Sequence, residues 1–545
     1  MQKIVKILLC FSMFLILFGC KQETEIDNST EEQQNPEETA VDEFESIQIA
    51  ELQNRYQPTG IWNNSFAINS YEDFAIRQLA YSYTENENEI ISPLSLYYAL
   101  AILTNGASGY TRQELETVLG MTTGDLNSFL YDFDKEFDNA EEWTKYYNKA
   151  NAILFNTGTG MSLKEDYKNT IRKYYGDSFY EGDFSDSAKI TTDVNNWASK
   201  NTDGAINEVV NDGEITKETA MLILNALTSG DTWSHQFESS ETFYEEFNSR
   251  DNSKGLVEMM HQTLYGYIND GKSEGFVKNL TNNAVFVGII PNLATDVYDY
   301  LNLMDFSTLS NYKSNMLVTE KVGEVESTNY EGQPVTCDLI DVHYTNLSFP
   351  KFSFEKEYDL NKTLKKFGLK NIFDYKVSDF SSMADGPQTL VDELFVDKVK
   401  QKCSIEVNEE EVKAAAVTSV YLGLGGGDGG CSELRNNVYH DVVFNRPFIF
   451  ALMTPDYSRE AIPMFIGIVT KLGEPIETAI QIENITGKIN IRSKPSTSGE
   501  KLGSFEKGKI IYAFETAQAE GYTWYRIGTD KWVADKNGEW IRVLN

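Results

Sequence analysis

The stretch that decides the fold is Glu406-Val-Asn-Glu-Glu-Glu-Val-Lys-Ala-Ala-Ala-Val-Thr-Ser419, followed by the glycine tract Gly423-Leu-Gly-Gly-Gly-Asp-Gly-Gly430. A strand-like run ends in acids and gives way to a block of very small side chains. Three consecutive alanines beside β-branched Val417 and Thr418 cannot grip a ligand. They suit a segment that enters a crowded interior. Alanine loses no side-chain entropy on burial, and alternate small residues fit one buried face of a strand. The glycine tract is not a phosphate loop, because no Gly-Lys-Ser/Thr follows it. A single Gly-rich run with one Asp is also poor evidence for a calcium repeat.

Ordered motifs extend outward from this stretch. Ile91-Ser-Pro-Leu-Ser95 is followed by Ala99-Leu-Ala-Ile-Leu103 and Gly106-Ala-Ser-Gly109. Ser92 or Ser95 is expected to cap a helix with Leu96, Leu100 and Leu103 on one face. Next come Asn196-Trp197, Thr202, Gly204 and Ile206, then Leu224-Asn225, then Trp233 to Phe237 and Met259-Met260. Leu347-Ser-Phe-Pro-Lys-Phe352, Tyr358-Asp-Leu360, Leu364, Gly368, Phe444-Asn-Arg-Pro-Phe448 and Met464-Phe-Ile-Gly-Ile-Val469 complete the series. Their order and spacing, from about Asn64 to Gly473, resemble the serpins, and Glu406 to Thr418 resembles the serpin hinge. Glu406, Asn408, Glu409, Ala414, Ala415, Ala416 and Thr418 match the hinge pattern. Glu411 stands where glycine is usual, Val412 where threonine is usual, and Lys413 where an acid is common.

The resemblance implies an α+β serpin fold: a large central, mainly antiparallel β-sheet with helices and an exposed reactive loop. It also implies a mechanism. The loop from about Glu409 to Val442 is bait, and after a protease cuts it the hinge enters the sheet as an extra strand. In the family register Val412, Ala414, Ala416 and Thr418 face the core, while Glu411, Lys413 and Ala415 face out. No charge falls on the inward set. Glu411 lacks the backbone freedom of glycine, which is expected to slow insertion. Ser92, Asn225 and Gln401 match the positions that control sheet opening in the family. Gln401 replaces the frequent His and keeps both donor and acceptor, so pH sensitivity is lost there rather than hydrogen bonding.

The family spacing places the reactive bond ambiguously. Counting forward from Glu409 reaches Leu424-Gly425 or Gly425-Gly426, which suits an elastase- or subtilisin-like enzyme. Counting back from Phe444 reaches Arg435-Asn436 or its neighbour. Arg435 is the only Lys or Arg between Lys413 and Arg446 and would suit a trypsin-like enzyme. Slack favours the first choice, because each added residue of extended chain contributes about 3.3 Å.

Composition bounds the alternatives. The chain has 545 residues, 41% of them hydrophobic, and a formal net charge of −36. That charge argues against nucleic-acid binding. The four histidines show no metal-ligand spacing, no cofactor is implied, and the five cysteines do not resemble a disulfide framework. Cys403 alternates with its neighbours in an expected core strand. A hydrolytic enzyme is the weakest reading, since no nucleophile-elbow G-x-S-x-G, H-E-x-x-H or papain-like cysteine segment is expected.

Both ends are readable. Lys3 and Lys6 precede the apolar run Ile7 to Phe18, which is short for a bilayer span and fits a signal peptide. Leu17-Phe-Gly-Cys20 resembles a bacterial lipobox, which implies lipidation of Cys20 and a mature chain that begins there. Between residues 21 and 60, eleven acids face only Lys21 and Arg55, the composition of a disordered tether. After Gly473, Gly487-Lys-Ile-Asn-Ile-Arg-Ser-Lys-Pro495, Gly503 to Gly508, Trp524 to Ile527 and Lys531-Trp-Val533 read as short strands of a small barrel. They resemble bacterial SH3-like domains, although Lys531 stands where glycine is usual. Tyr522, Trp524, Tyr525 and Trp532 either line a groove or fill the barrel, and Trp532 is assigned to its core.

The domains expected are therefore a lipoprotein signal peptide (1–19), an acidic tether (20–62), a serpin domain (63–475) and an SH3-like domain (476–545). The expected function is a surface-anchored suicide inhibitor of serine endopeptidases, with cysteine endopeptidases as a further class. A monomer is expected, whose partners are a target protease, a bacterial membrane reached through the lipid anchor, and a cell-wall polymer reached through the SH3-like domain. The alternative is a non-inhibitory serpin-fold binding module in which the SH3-like domain does the main work.

Overall fold

The computed structural model describes residues 9–18 and 65–544 with interruptions, the longest being 139–146, 410–433, 456–460 and 483–487. Three large sheets form the body. The first has the order β14 (Phe352–Asp359), β16 (Phe395–Val407), β1 (Leu9–Phe18), β6 (Thr219–Ser229), β3 (Tyr147–Asn156) and β5 (Phe179–Gly182). All its pairs are antiparallel except β3 with β5. This is the mainly antiparallel central sheet that the motifs imply. One of its strands is not expected: the apolar run read as a leader, Leu9–Phe18, is a strand between β6 and β16.

The second sheet runs β2 (Glu89–Ile91), β19 (Pro463–Val469), β18 (Phe448–Met453), β11 (Val285–Pro291), β10 (Ser273–Asn279) and β9 (Ile268–Asn269). Strands β11, β18 and β19 are buried at every position. They are therefore continuous apolar runs rather than alternating ones. The third sheet holds β12 (Thr319–Thr328), β13 (Pro334–Pro350), β8 (Lys254–Tyr265) and β20 (Glu474–Pro475). Strand β7 (Thr242–Asn248) pairs with β8, and β17 (Leu434–Val443) runs parallel to β13. A two-stranded pair joins β4 (Ser162–Leu163) to β15 (Ala384–Asp385).

Helix α1 (Ser65–Ser82) precedes α2 (Pro93–Gly106), in which only Asn105 is not buried. A helix apolar all round belongs in a core, and α2 lies there, against β6 and β19. Pro93 opens it, where a missing N–H costs nothing. Ser92 is its N-cap residue but makes no side-chain cap, so the expected capping role fails. Its hydroxyl donates instead to the Met464 carbonyl at 3.0 Å.

The C-terminal unit contains β21 (Thr478–Ile482), β22 (Lys488–Arg492), β23 (Lys501–Glu506), β24 (Ile510–Ala513), β25 (Glu515–Ala519), β26 (Tyr522–Gly528), β27 (Lys531–Asp535) and β28 (Ile541–Leu544). Its core holds Ile480, Ile491, Ile527 and Val533, and Phe243 of β7 joins the same cluster. The chain reaches this unit through a tight crossing. A Cβ on Gly255 would lie 2.3 Å from the Leu472 carbonyl oxygen, and one on Gly473, at φ +83°, 2.3 Å from that of Leu256. Only glycine fits such an approach.

Candidate functional site

The site is a strand-wide slot in the first sheet together with the segment that leaves β16 beside it. Strand β1 fills the slot. It pairs with β16 from Cys10 opposite Ser404 to Phe18 opposite Phe395, and with β6 from Leu9 opposite Ser229 to Phe18 opposite Thr219. It is antiparallel to both. A chain that leaves β16 at Val407 and turns back would run with that same polarity. The slot thus has the width and direction for the hinge, and it holds one strand at a time.

Of the three residues expected to control opening, two flank the slot and Ser92 stands at the start of α2. Gln401 of β16 and Asn225 of β6 both stand opposite Met13 of β1, one on each side. They belong to two separate networks. Gln401 donates to the Ser92 carbonyl at 3.0 Å and accepts from Gln78 Nε2 at 3.0 Å. Asn225 donates to Asn151 Oδ1 at 2.7 Å and accepts from the Ser95 hydroxyl. Ser95, rather than Ser92, is the serine whose side chain reaches Asn225. The motifs did not single out Gln78 and Asn151. Gln78 could be suspected as a polar residue within the buried part of α1, and Asn151 stands directly opposite Asn225 in the β3–β6 ladder. Gln401→Leu is expected to strand the Gln78 amide and remove a donor from Ser92, a cost of about 1–3 kcal/mol. Calorimetry should show a lower unfolding temperature, with Gln401→His closer to the parent.

The base of the hinge is pinned twice. Trp233 is buried edge-on between Phe237 and Phe286, and its Nε1 donates to the Asn408 carbonyl at 2.9 Å. Lys278 lies over the Trp233 and Phe237 rings and donates to Gln262 Oε1 and the His235 carbonyl. Burial pulls its ammonium down to about 7. One residue beyond Asn408, Glu409 is 3.0 Å from Lys351 Nζ, which is also 3.0 Å from Glu258. Burial opposes the charge on Lys351, but Glu258 and Glu409 outweigh it and raise its pKa. Burial likewise disfavours ionised Glu258, but Lys351 and the Thr529 amide hold its carboxyl below the usual value. The motifs contain both Glu409 and Lys351 but not their pairing, nor Glu258 of β8, because the three come together only in the fold.

The remaining candidates divide. Glu411, Val412, Ala414, Ala415, Ala416, Thr418, Leu424, Gly425, Gly426 and Cys20 lie outside the described residues. Arg435 and Asn436 lie in β17, opposite Ile340 and Asp341 of β13, and Asn436 Nδ2 donates to Asp341 at 3.1 Å.

Several further readings change. Cys403 is a buried thiol, as expected. Cys337 is disulfide-bonded, although the cysteines do not resemble a disulfide framework. The histidines are not all scattered: His343 Nδ1 and His440 Nε2 are 2.9 Å apart, with the Tyr267 ring stacked 3.7 Å from His440. The parallel pairing of β13 with β17 creates this contact. The spacing G-x-S-x-G does occur, at Gly271-Lys-Ser-Glu-Gly275. Ser273 is buried, however, and its hydroxyl pairs with that of Tyr300 at 2.9 Å. Trp524, Tyr525 and Trp532 are buried in the C-terminal unit, while partly buried Tyr522 and Trp540 pair at 5.7 Å.

Comparison with known proteins agrees with this geometry. The family model described as serpin (serine protease inhibitor) matches residues 62–472. Neuroserpin of Gallus gallus is 26% identical over 372 residues, covering 67% of this chain and 82% of that protein. Leukocyte elastase inhibitor of Homo sapiens is 27% identical over 339 residues, covering 61% and 82%. The thermophilic serpin tengpin in its native state superposes with a TM-score of 0.58 at 28% identity, covering 76% of this chain and 96% of that one.

Proposed function

The chain belongs to the serpin family of serine protease inhibitors, and on that premise we propose that it is a lipid-anchored suicide inhibitor working at a bacterial surface. Serpins bind their target proteases and are not enzymes. The observation that carries the proposal is the slot between β6 and β16, one strand wide and beginning where the hinge begins. The protease nucleophile attacks the bait carbonyl, the amine leaves, and an acyl-enzyme ester remains on the hinge side. The freed hinge then enters the slot and drags the enzyme along. About a dozen new backbone hydrogen bonds at ~1 kcal/mol net each are comparable with the stability of a whole domain, enough to distort a protease active site. Mixing with a panel of serine proteases should give an SDS-stable complex with an elastase- or subtilisin-like member. Cleavage without any complex across the panel would instead support the binding-module alternative.

The reactive bond is assigned to Leu424-Gly425 or Gly425-Gly426. Arg435 and Asn436 are committed to the β13–β17 ladder, and a protease needs bait free of a sheet. The disulfide of Cys337 suits an oxidising compartment outside the cytoplasm. The expected result is a covalent complex that, once denatured and reduced, releases a fragment starting at Gly425 or Gly426. A start at Asn436 would overturn the assignment.

Signal cleavage before Cys20 removes Leu9–Phe18, so maturation vacates the slot. Lipid on Cys20 and the acidic tether then hold the body off the membrane. Cys20→Ala is expected to move the protein to the soluble fraction. The C-terminal unit is read as an SH3-like domain. Tyr522 and Trp540 form its partly exposed aromatic platform, with a cell-wall polymer as the proposed ligand.

A further inference from the structure

The C-terminal unit is built into the body at the point where the hinge is held. Its β26–β27 turn lies over β7 and β8. The Thr529 amide donates to Glu258 Oε1 at 2.7 Å, and Glu258 Oε2 is the atom that meets Lys351. Lys531 is buried with its ammonium donating to the Ser239 and Thr242 carbonyls, 5.1 Å from the Phe243 ring. Phe243 in turn packs 4.8 Å from Phe505. A lysine where SH3-like patterns carry glycine thus has a use: it reaches out of the barrel and fastens it to the body. An unbroken line of polar contacts therefore runs from Thr529 through Glu258 and Lys351 to Glu409 at the base of the hinge.

We propose that Thr529 and Lys531 of the C-terminal unit are positioning residues for the inhibitory reaction, holding the Glu258–Lys351–Glu409 chain so that the hinge stays out of the slot until it is cut. Glu258 is shared between the Thr529 amide and Lys351. When the turn is fastened, Glu258 keeps one geometry and Lys351 is presented to Glu409. When the turn lifts, Glu258 loses a donor and is free to follow Lys351 away from the hinge. Burial pulls the Lys531 ammonium down to about 8, so it remains mostly charged at neutral pH. The inference rests on the insertion mechanism, but its test does not need a protease.

The test uses the full processed chain beginning at Cys20 and a fluorescent synthetic peptide copying residues 409–420, whose binding reports slot opening. Lys531→Met should accelerate peptide binding about tenfold, the scale of one charge-assisted hydrogen bond. Lys531→Arg, which keeps the donors, should stay near the parent rate. Glu258→Gln should act in the same direction, and the double variant should be less than additive, as expected for one network. Circular dichroism melting verifies that each variant is folded. If folded Lys531→Met and Glu258→Gln both bind peptide at the parent rate, the coupling is refuted. Altered peptide binding in a chain that traps no protease would keep the coupling and sink the inhibitory reading.

Discussion

Ala416→Arg is expected to abolish trapping while leaving bait cleavage intact, so that the protein becomes a substrate of the enzyme it now inhibits. The family register would put Ala416 on the inward face with Val412, Ala414 and Thr418, where the slot would close over it between β6 and β16. A buried unpaired charge costs several kcal/mol, and ~2.8 kcal/mol already changes a partition by about a hundredfold. The cost falls only on insertion, because the loop is cut before it enters. Titration of a sensitive protease should show a large rise in the number of inhibitor molecules consumed per enzyme, with cleaved inhibitor accumulating. Ala415→Arg, on the outward face, should change little. Wild-type stoichiometry for Ala416→Arg would mean that the register is off by one residue, since one step exchanges the faces of a strand.

Retaining residues 1–19 is expected to be as damaging. In that chain Leu9–Phe18 already makes the ladders with β6 and β16 that the hinge would make. Insertion must expel it, exchanging one strand for another and forfeiting most of the net gain. A chain expressed without export, leader intact, should be cut by the protease without forming the SDS-stable complex. The same chain begun at Cys20 should form it. Equal trapping by the two would show that Leu9–Phe18 does not hold the slot against the hinge.

Much of this was legible from residues alone. The ordered motifs carried the fold because they mark buried elements whose apolar runs survive as patterns, such as Met464 to Val469 within β19. The hinge reading rests on small uncharged side chains that have few other uses, and beyond Glu409 those residues lie outside the described ones. The strand made by Leu9–Phe18 was not: an apolar run that fits a signal peptide carries no mark of the strands it pairs with. The networks were partly hidden for a related reason. Gln78 meets Gln401 across 323 positions of chain, and Lys531 meets Thr242 across 289. Local pattern says nothing about such distances. Ser92 and Ser95 both looked able to cap α2, but Ser92 donates to the Met464 carbonyl and Ser95 to the Asn225 side chain. His343 and His440 became neighbours only through a parallel pairing that no spacing rule encodes.

The crossing of Gly255 and Gly473 has a mechanical meaning. Backbone oxygens sit where any side chain would be, so the connection has no room to bend or pay out. Strand β20 adds a short ladder to β8 at the same place. A load applied to the C-terminal unit therefore passes straight into β8 in shear, along the strand that carries Glu258. If that unit grips a rigid polymer while Cys20 is held in a fluid bilayer, the body is suspended between a fixed end and a compliant one. The bait then keeps a constant orientation toward the wall, and tension between the two anchorages acts on the strand beside the hinge.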